Sequence, residues 1–337
     1  MTSGYTDIGK YQRIERLGGG YFGDVYRVYD RALDTQRALK VIPEDPSHPR
    51  DIELWEAQLL EVCKHKHIVE VKEADLADVD GIPSVIIACE LMPRGSVDDL
   101  LENNFISVYS SADIITQALF GLAHLHAAGI LHCDLKPGNL LIGDSGVIKL
   151  SDFGLAVSCG DTPDHFYTMH KAPELILGEA PSELTDVYAA GVTLFRLLNG
   201  VYDIAAILPT NFNEAITRGR FPDRSAYLPH IPERVKRICN RAMHIDKTKR
   251  FQSADGFRQA LEGLPWSIDW HKISDTEWHG IKSDVQYTIE VFEKRTGWCL
   301  DFKRNNRRII DYCGSRLPSE MDAVSALYEM IRTTTLS

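Results

Sequence analysis

Apolar and polar positions fall into three regimes along the chain. Over the first ninety residues short apolar runs alternate with turns, and residues 11–17, 25–29 and 37–42 read as strands. Residues 51–64 read as a helix, because Ile52, Trp55, Leu59 and Val62 recur at helical spacing. Two more strands are expected at 68–72 and 84–90. From residue 93 the period changes. Residues 108–128 form a long apolar-periodic helix stopped by Gly129, and short strands surround 140–142 and 147–150. Beyond Pro173 helices dominate, at 183–199, 232–243 and 253–262. The pattern predicts a strand-rich small lobe followed by a helix-rich large lobe, an α+β architecture.

The third regime begins at Leu264, Pro265 and Trp266. Apolar residues then alternate at Val285, Tyr287, Ile289 and Val291, again at Trp298, Leu300 and Phe302, and again at Ile309 and Tyr312. Asn305 and Asn306 suit the turn between the second and third of these runs. Ser319 reads as an N-cap with a carboxylate three residues on, at Asp322. Ala323, Ala326, Leu327, Met330 and Ile331 then make one helical stripe. A small β-β-β-α appendage is expected over 265–337, after a main body over 1–264. A chain of 337 residues is long enough for such a division.

Composition narrows the classes. With 44% hydrophobic and 25% charged residues the chain is globular rather than disordered. A net charge of −11 disfavours non-specific attraction to nucleic acid or an anionic membrane. Seven cysteines without a regular spacing argue against a disulfide framework, and the N-terminus lacks an apolar signal core. No stretch approaches the length needed to span a bilayer. A cytoplasmic protein is the expectation. Cys63, His65 and His67 lie at the end of an expected helix without a second ligand pair, so they read as structural rather than as a metal site.

Chemistry enters with Gly18, Gly20 and Gly23. Their G-x-G-x-x-G spacing is weak alone, and a plain hairpin turn is its bland alternative. Here the glycines lie between two strands, whereas a dinucleotide fingerprint opens a helix. A glycine-rich hairpin can bring backbone N–H groups close to phosphates. Lys40 follows Ala38 and Leu39 on an apolar strand. It is either an edge lysine reaching solvent or a cation held by a partner such as Glu56. The strongest segment is His132-Cys133-Asp134-Leu135-Lys136-Pro137-Gly138-Asn139, followed by Ser151-Asp152-Phe153-Gly154. Asp152 and Asn139 supply hard oxygen ligands suited to Mg²⁺. Asp134 can accept a hydroxyl proton, and Lys136 can steady a transferring phosphoryl group.

This ordered set resembles the eukaryotic-type protein kinase family over about residues 11–263. The resemblance implies a bilobal fold, with an N-lobe over about 1–92 and a C-lobe over 93–264. It implies ATP as substrate with Mg²⁺, or Mn²⁺ in its place. It makes Gly18, Gly20, Gly23 and Val25 the phosphate loop, Lys40 the phosphate lysine and Glu56 its partner. Asp134 becomes the catalytic base, and Asn139 and Asp152 the metal ligands. Val25, Ala38 and Leu141 would enclose adenine, with Glu90 and Met92 at the hinge after Cys89. Ala172-Pro173-Glu174 matches the A-P-E element, Asp186 opens the family's following helix, and Arg250 matches the arginine that pairs with Glu174. The complete set implies an active enzyme.

Two departures stand out. Cys133 replaces the arginine that usually pairs with an activation-loop phosphate, which implies activity without that phosphorylation. Tyr167 stands where Ser/Thr members carry a threonine, so the Ser/Thr expectation rests mainly on Lys136. The expected partner is a protein substrate, and Lys136 points to transfer to its Ser/Thr hydroxyls. Lys294, Arg295, Lys303, Arg304, Arg307 and Arg308 make a basic hairpin that would dock an acidic partner or, less in keeping with the net charge, nucleic acid, or would simply guard a strand edge. A catalytically weak nucleotide-binding scaffold acting through the appendage is the competing reading. Phosphorylation of a small molecule is a third, disfavoured by the A-P-E element, Asp186 and Arg250.

Overall fold

The computed structural model describes residues 7–20, 23–44, 63–161 and 168–337. The helix expected over 51–64, with Glu56, lies outside the described residues except for Cys63 and Lys64. The chain forms two compact units, Met1–Val97 with Phe120–Tyr167, and Asp98–Leu119 with Thr168–Ser337.

The first unit is built on an antiparallel sheet of β1 (Tyr11–Gly20), β2 (Gly23–Asp30), β3 (Thr35–Pro43), β4 (Val71–Val79) and β5 (Ile82–Glu90), in the order β1-β2-β3-β5-β4. One face buries Tyr11, Val28, Leu39, Val41, Ile86 and Ala88, the period-2 pattern of a half-buried sheet. The strand expected at 68–72 instead runs 71–79, and Ile68 makes only a bridge to Leu150. β4 is an edge strand whose exposed positions are Lys72, Ala74, Asp75, Leu76 and Asp78, so it shows little apolar alternation.

Helix α1 (Val97–Asn103) and helix α2 (Val108–Ala127) follow. The end of α2 packs against the segment before β4. A Cβ on Gly121 would lie 2.5 Å from the His67 carbonyl oxygen, so only glycine permits the approach. Strands β6 (Ile130–Leu131) and β9 (Val157–Ser158) pair, as do β7 (Leu140–Ile142) and β8 (Ile148–Leu150).

The second unit contains α3 (Pro173–Ile176), α4 (Glu183–Asn199), α5 (Phe212–Thr217), α6 (Glu233–Ala242) and α7 (Ala254–Glu262). Helix α4 is buried from Thr185 to Leu198 and ends on Gly200 at φ +64°. A six-stranded antiparallel sheet continues the unit: β10 (Asp269–Lys272), β11 (Glu277–Lys282), β12 (Val285–Lys294), β13 (Gly297–Arg304), β14 (Arg307–Arg308) and β15 (Gly314–Leu317). Helix α8 (Glu320–Thr334) covers one face with Ala323, Leu327 and Ile331 on Trp270, Trp278, Ile289, Val291, Leu300 and Phe302. The Ser319 hydroxyl accepts from the Asp322 amide at 3.2 Å, the expected cap.

The appendage is thus larger than β-β-β-α. Two strands precede it, each with one buried tryptophan in a short sequence without apolar alternation to announce it. Gly280 on β11 makes room for Trp270, because a Cβ there would meet the indole at 2.8 Å. The expected third strand is split by a 3₁₀ turn at Ile310–Tyr312. The basic hairpin is not one patch either. Lys303 pairs with Glu290 and Arg308 with Asp301. Lys294 and Arg295 lie at the opposite end of the β12–β13 ladder from Arg304, since Tyr287 pairs Arg304 and Lys294 pairs Gly297.

Candidate active site

The β1–β2 hairpin places Gly18 opposite Val25, Gly19 opposite Asp24 and Gly20 opposite Gly23. Gly23 has φ +133°, and a Cβ there would stand 2.1 Å from the Val41 carbonyl oxygen. The backbone of β3 therefore already demands glycine at this position. A Cβ on Gly18 would meet nothing within 4 Å.

Strand alternation turns the second face of the sheet into a half-buried surface. Val25 pairs with Lys40, and Ala38 pairs with Cys89. These four share the face opposite the buried Leu39 and Val41, and none is fully buried. The Lys40 ammonium donates to Asp152 Oδ1 at 2.9 Å.

The segment from His132 to Asn139 closes on itself. Asp134 is 6% exposed. Its Oδ2 accepts from Lys136 Nζ at 2.7 Å and from Asn139 Nδ2 at 2.8 Å. Asn139 Nδ2 also donates to the Asp134 carbonyl at 2.8 Å, and the 3₁₀ turn Pro137–Asn139 makes that return possible. Asp134 Oδ1 is buried with no hydrogen-bond partner among the described residues. Beneath this turn, the Asp134 amide donates to His132 Nδ1 at 3.2 Å, and His132 Nε2 donates to the Ser151 carbonyl at 3.2 Å. The imidazole packs on the buried Phe153 ring, centroids 5.1 Å apart. The Ser151 amide donates to the Asn139 carbonyl at 2.9 Å. One histidine thus fastens the Asp134 turn to the Asp152 turn.

The two carboxyls are tuned in opposite directions. Burial pushes Asp134 above the ordinary carboxylate range, against the opposing pull of Lys136. Burial acts upward on Asp152 as well, but the charge and hydrogen bond of Lys40 outweigh it and hold Asp152 below its usual value. The donor set fits Mg²⁺: with Nδ2 engaged, Asn139 keeps its amide oxygen for a cation, and Asp152 keeps Oδ2. Among the described residues no three His, Cys, Asp or Glu side chains form a metal cage.

The segment after β5 is anchored from two sides. Glu90 Oε1 accepts from the Glu70 amide at 2.8 Å and from Lys149 Nζ at 2.6 Å, and the Glu90 amide donates to the Glu70 carbonyl at 3.0 Å. The Met92 carbonyl accepts from the Gly95 amide at 3.3 Å. Leu141 bridges Ser96 and stays half-exposed between buried Leu140 and Ile142.

In the second unit Arg250 Nη1 and Nη2 donate to the two Glu174 oxygens at 2.6 and 2.7 Å. The pair expected from sequence is present and buried. Of the other expected site residues, the structure brings Lys40 onto Asp152, and Lys136 and Asn139 onto Asp134. Sequence reasoning missed the peg role of His132 and the side-chain role of Glu90. The lysine between Ile148 and Leu150 on a short apolar strand was the available signal for the latter.

Comparison with known proteins agrees with the geometry. The family pattern described as protein kinase domain matches residues 11–262. The chain is 29% identical to the serine/threonine-protein kinase PksC of Streptomyces coelicolor, over 74% of this chain and 48% of that protein. It is 27% identical to the serine/threonine-protein kinase PrkC of Bacillus subtilis, over 76% and 40%. It is 26% identical to the serine/threonine-protein kinase ssp1 of Schizosaccharomyces pombe, over 94% and 54%. The chain spans about half the length of these relatives. No described helix is long and apolar enough to cross a membrane. By the extent of the family match and the order of its motifs, this chain belongs to the protein kinase family, with serine/threonine kinases as its relatives.

Proposed function

We propose that the chain is an ATP-dependent protein kinase that phosphorylates Ser and Thr hydroxyls, with Asp134 as base. The carrying observation is the buried Asp134 carboxylate, whose Oδ2 is held by Lys136 and Asn139 while Oδ1 is without a partner among the described residues. An acceptor hydroxyl delivered to Oδ1 is oriented and gives up its proton there. The hydroxyl oxygen bonds to the γ-phosphorus of ATP as the bond to the β-phosphate oxygen breaks, and ADP leaves. Lys136 faces the developing charge, and Lys40 holds Asp152 ionised. Asn139 and Asp152 would hold Mg²⁺, which neutralises phosphate charge. Gly18, Gly20 and Gly23 would cover the phosphates. Val25, Ala38 and Leu141 would enclose adenine, whose edge would meet the backbone at Glu90 and Met92. Glu56 is the proposed second partner of Lys40.

Incubation with Mg-ATP and a generic protein substrate tests this, with Asp134→Ala as control. Transfer to Ser and Thr that the variant lacks supports the proposal. No transfer, even to the chain itself, favours a nucleotide-binding scaffold. Cys133 in place of arginine supports activity independent of activation-loop phosphorylation. The combined variant Ser158→Ala, Thr162→Ala, Tyr167→Phe and Thr168→Ala should stay active, and its total inactivity refutes that part. We further propose a kinase domain over 1–264, an accessory domain over 265–337 and a cytoplasmic location.

A further inference from the structure

We propose that the tip of the β13–β14 hairpin, Arg304 and Arg307 with Ile310 and Tyr312, docks an acidic segment of a protein partner. This goes beyond the catalytic reading and does not depend on it.

Arg304 and Arg307 are directly opposite each other across a two-residue turn. Like charges at such a position destabilise a hairpin. The next pair inward, Lys303 and Arg308, has the same problem and solves it: Glu290 takes Lys303 and Asp301 takes Arg308. Neither Arg304 nor Arg307 has a carboxylate partner among the described residues. The same ladder therefore neutralises one cation pair and leaves the other bare, at a local cost with no return in the fold.

The turn that presents them is rigid. Asn305 and Asn306 have φ +46° and +62°, the left-handed geometry of a tight hairpin turn. The Asn305 amide donates to the Gln286 carbonyl at 2.8 Å, and the Gln286 amide donates back to Asn305 Oδ1 at 3.1 Å. The chain that leaves the hairpin at Arg308 carries apolar surface within four residues. Ile310 is 83% exposed and Tyr312 46% exposed, and the Tyr312 ring leans on Phe302 at 5.3 Å. Phe302 is two residues from Arg304 on the same strand face.

Two arginines on paired positions of one turn match carboxylates, and the exposed Ile310 and Tyr312 that follow offer apolar area for a large side chain. A peptide mixing glutamate or aspartate with large apolar residues has that chemistry. Two bare arginines on a chain of net charge −11 are too few to follow a nucleic-acid backbone or hold an anionic bilayer.

The full chain is titrated against a fluorescein-labelled peptide that alternates Glu-Glu with Leu, read by anisotropy. The Arg304→Gln/Arg307→Gln variant should bind at least about tenfold more weakly, and Ile310→Ser should also weaken binding. Lys294→Gln/Arg295→Gln removes the same charge at the other end of the ladder and should stay within about twofold of wild type. The melting temperature of the first variant should hold or rise, because a like-charge pair is relieved. Equal losses in both double variants, no loss in the first, or a fall in its melting temperature overturns the proposal. So does tighter binding of phosphatidylserine vesicles or an oligothymidine strand than of the peptide. Self-association abolished by the first variant and insensitive to the peptide would assign the tip to a second copy instead.

Discussion

Asp134→Asn should separate catalysis from stability, moving the two in opposite directions. Asparagine keeps the shape of the side chain. Its amide oxygen can replace Oδ2 and accept from Lys136 and Asn139, so the two bonds at 2.7 and 2.8 Å survive. Its NH₂ then occupies the Oδ1 position, where a donor replaces the lone pair that would take the hydroxyl proton. Loss of a positioned base costs about 10²–10⁴ in rate, or roughly 3–5 kcal/mol of barrier.

The stability effect has the other sign. The Asp134 carboxyl is raised above its ordinary range, because burial outweighs the attraction of Lys136. A raised carboxyl binds its proton more tightly in the folded than in the unfolded state. Ionisation at neutral pH therefore lowers stability, increasingly as pH rises from the ordinary carboxylate range through the folded value. The Asp134→Asn substitution removes that charge, so the urea midpoint at pH 7 should rise, and the difference from wild type should shrink toward acid pH. The assay is phosphoryl transfer to a generic substrate alongside urea melts at several pH values. Activity within tenfold of wild type, or a lower midpoint at pH 7 with unchanged slope, refutes the reasoning.

Four further variants test this site and two other parts of the fold. Lys136→Met removes the cation that opposes burial at Asp134, so the acid limb of the kcat/KM profile should move to higher pH; an unmoved limb means that Lys136 does not act on Asp134. Glu174→Gln leaves the Arg250 guanidinium buried against a neutral group, and with side-chain exposures of 0% and 4% the loss measured by urea unfolding should be about 3–5 kcal/mol. Trp278→Ala should cost about 3–5 kcal/mol, since the ring packs on Phe105 at 5.1 Å and His230 at 4.9 Å. Trp278→Phe should cost far less, because the indole N–H it deletes is buried without an acceptor among the described residues.

The meeting of Lys40 with Asp152, and of Lys136 and Asn139 with Asp134, was legible in sequence because these are polar groups of fixed type on short strands and turns. Lysine in an apolar strand, and two aspartates and an asparagine around a hairpin, violate local burial patterns in ways that only a partner or a substrate explains. The supports were not legible. His132 holds the Asp134 turn to Ser151 through its two ring nitrogens, but a buried histidine before an aspartate has no period to betray it. The edge strand β4 hid its register for lack of apolar alternation. The strands β10 and β11 hid because one tryptophan each, placed against α8 or its sheet neighbours, supplies their burial.

Backbone strain is the other feature absent from sequence, and it separates the site from the rest of the fold. Eight described non-glycine residues have positive φ. Asp34, Asp80, Ser283, Asn305 and Asn306 lie in turns between adjacent strands, where left-handed geometry is the ordinary solution. Arg316 lies in β15, beside the irregular pairing of that strand with β13. Cys133 at +63° and Asp152 at +59° remain, and neither lies in a hairpin turn. Such conformations cost on the order of 1–3 kcal/mol each, and glycine or asparagine would lower that cost. At 152 the side chain cannot be given up, since it is the carboxylate that Lys40 holds. At 133 the chain keeps a cysteine whose side chain the proposed chemistry does not use. What that backbone turn accomplishes is to bring the Asp134 amide onto His132 and its carboxylate back to Lys136 and Asn139. Outside the strand turns and the irregular β15, positive φ among the described non-glycine residues thus falls on the two positions that direct the Asp134 and Asp152 carboxylates.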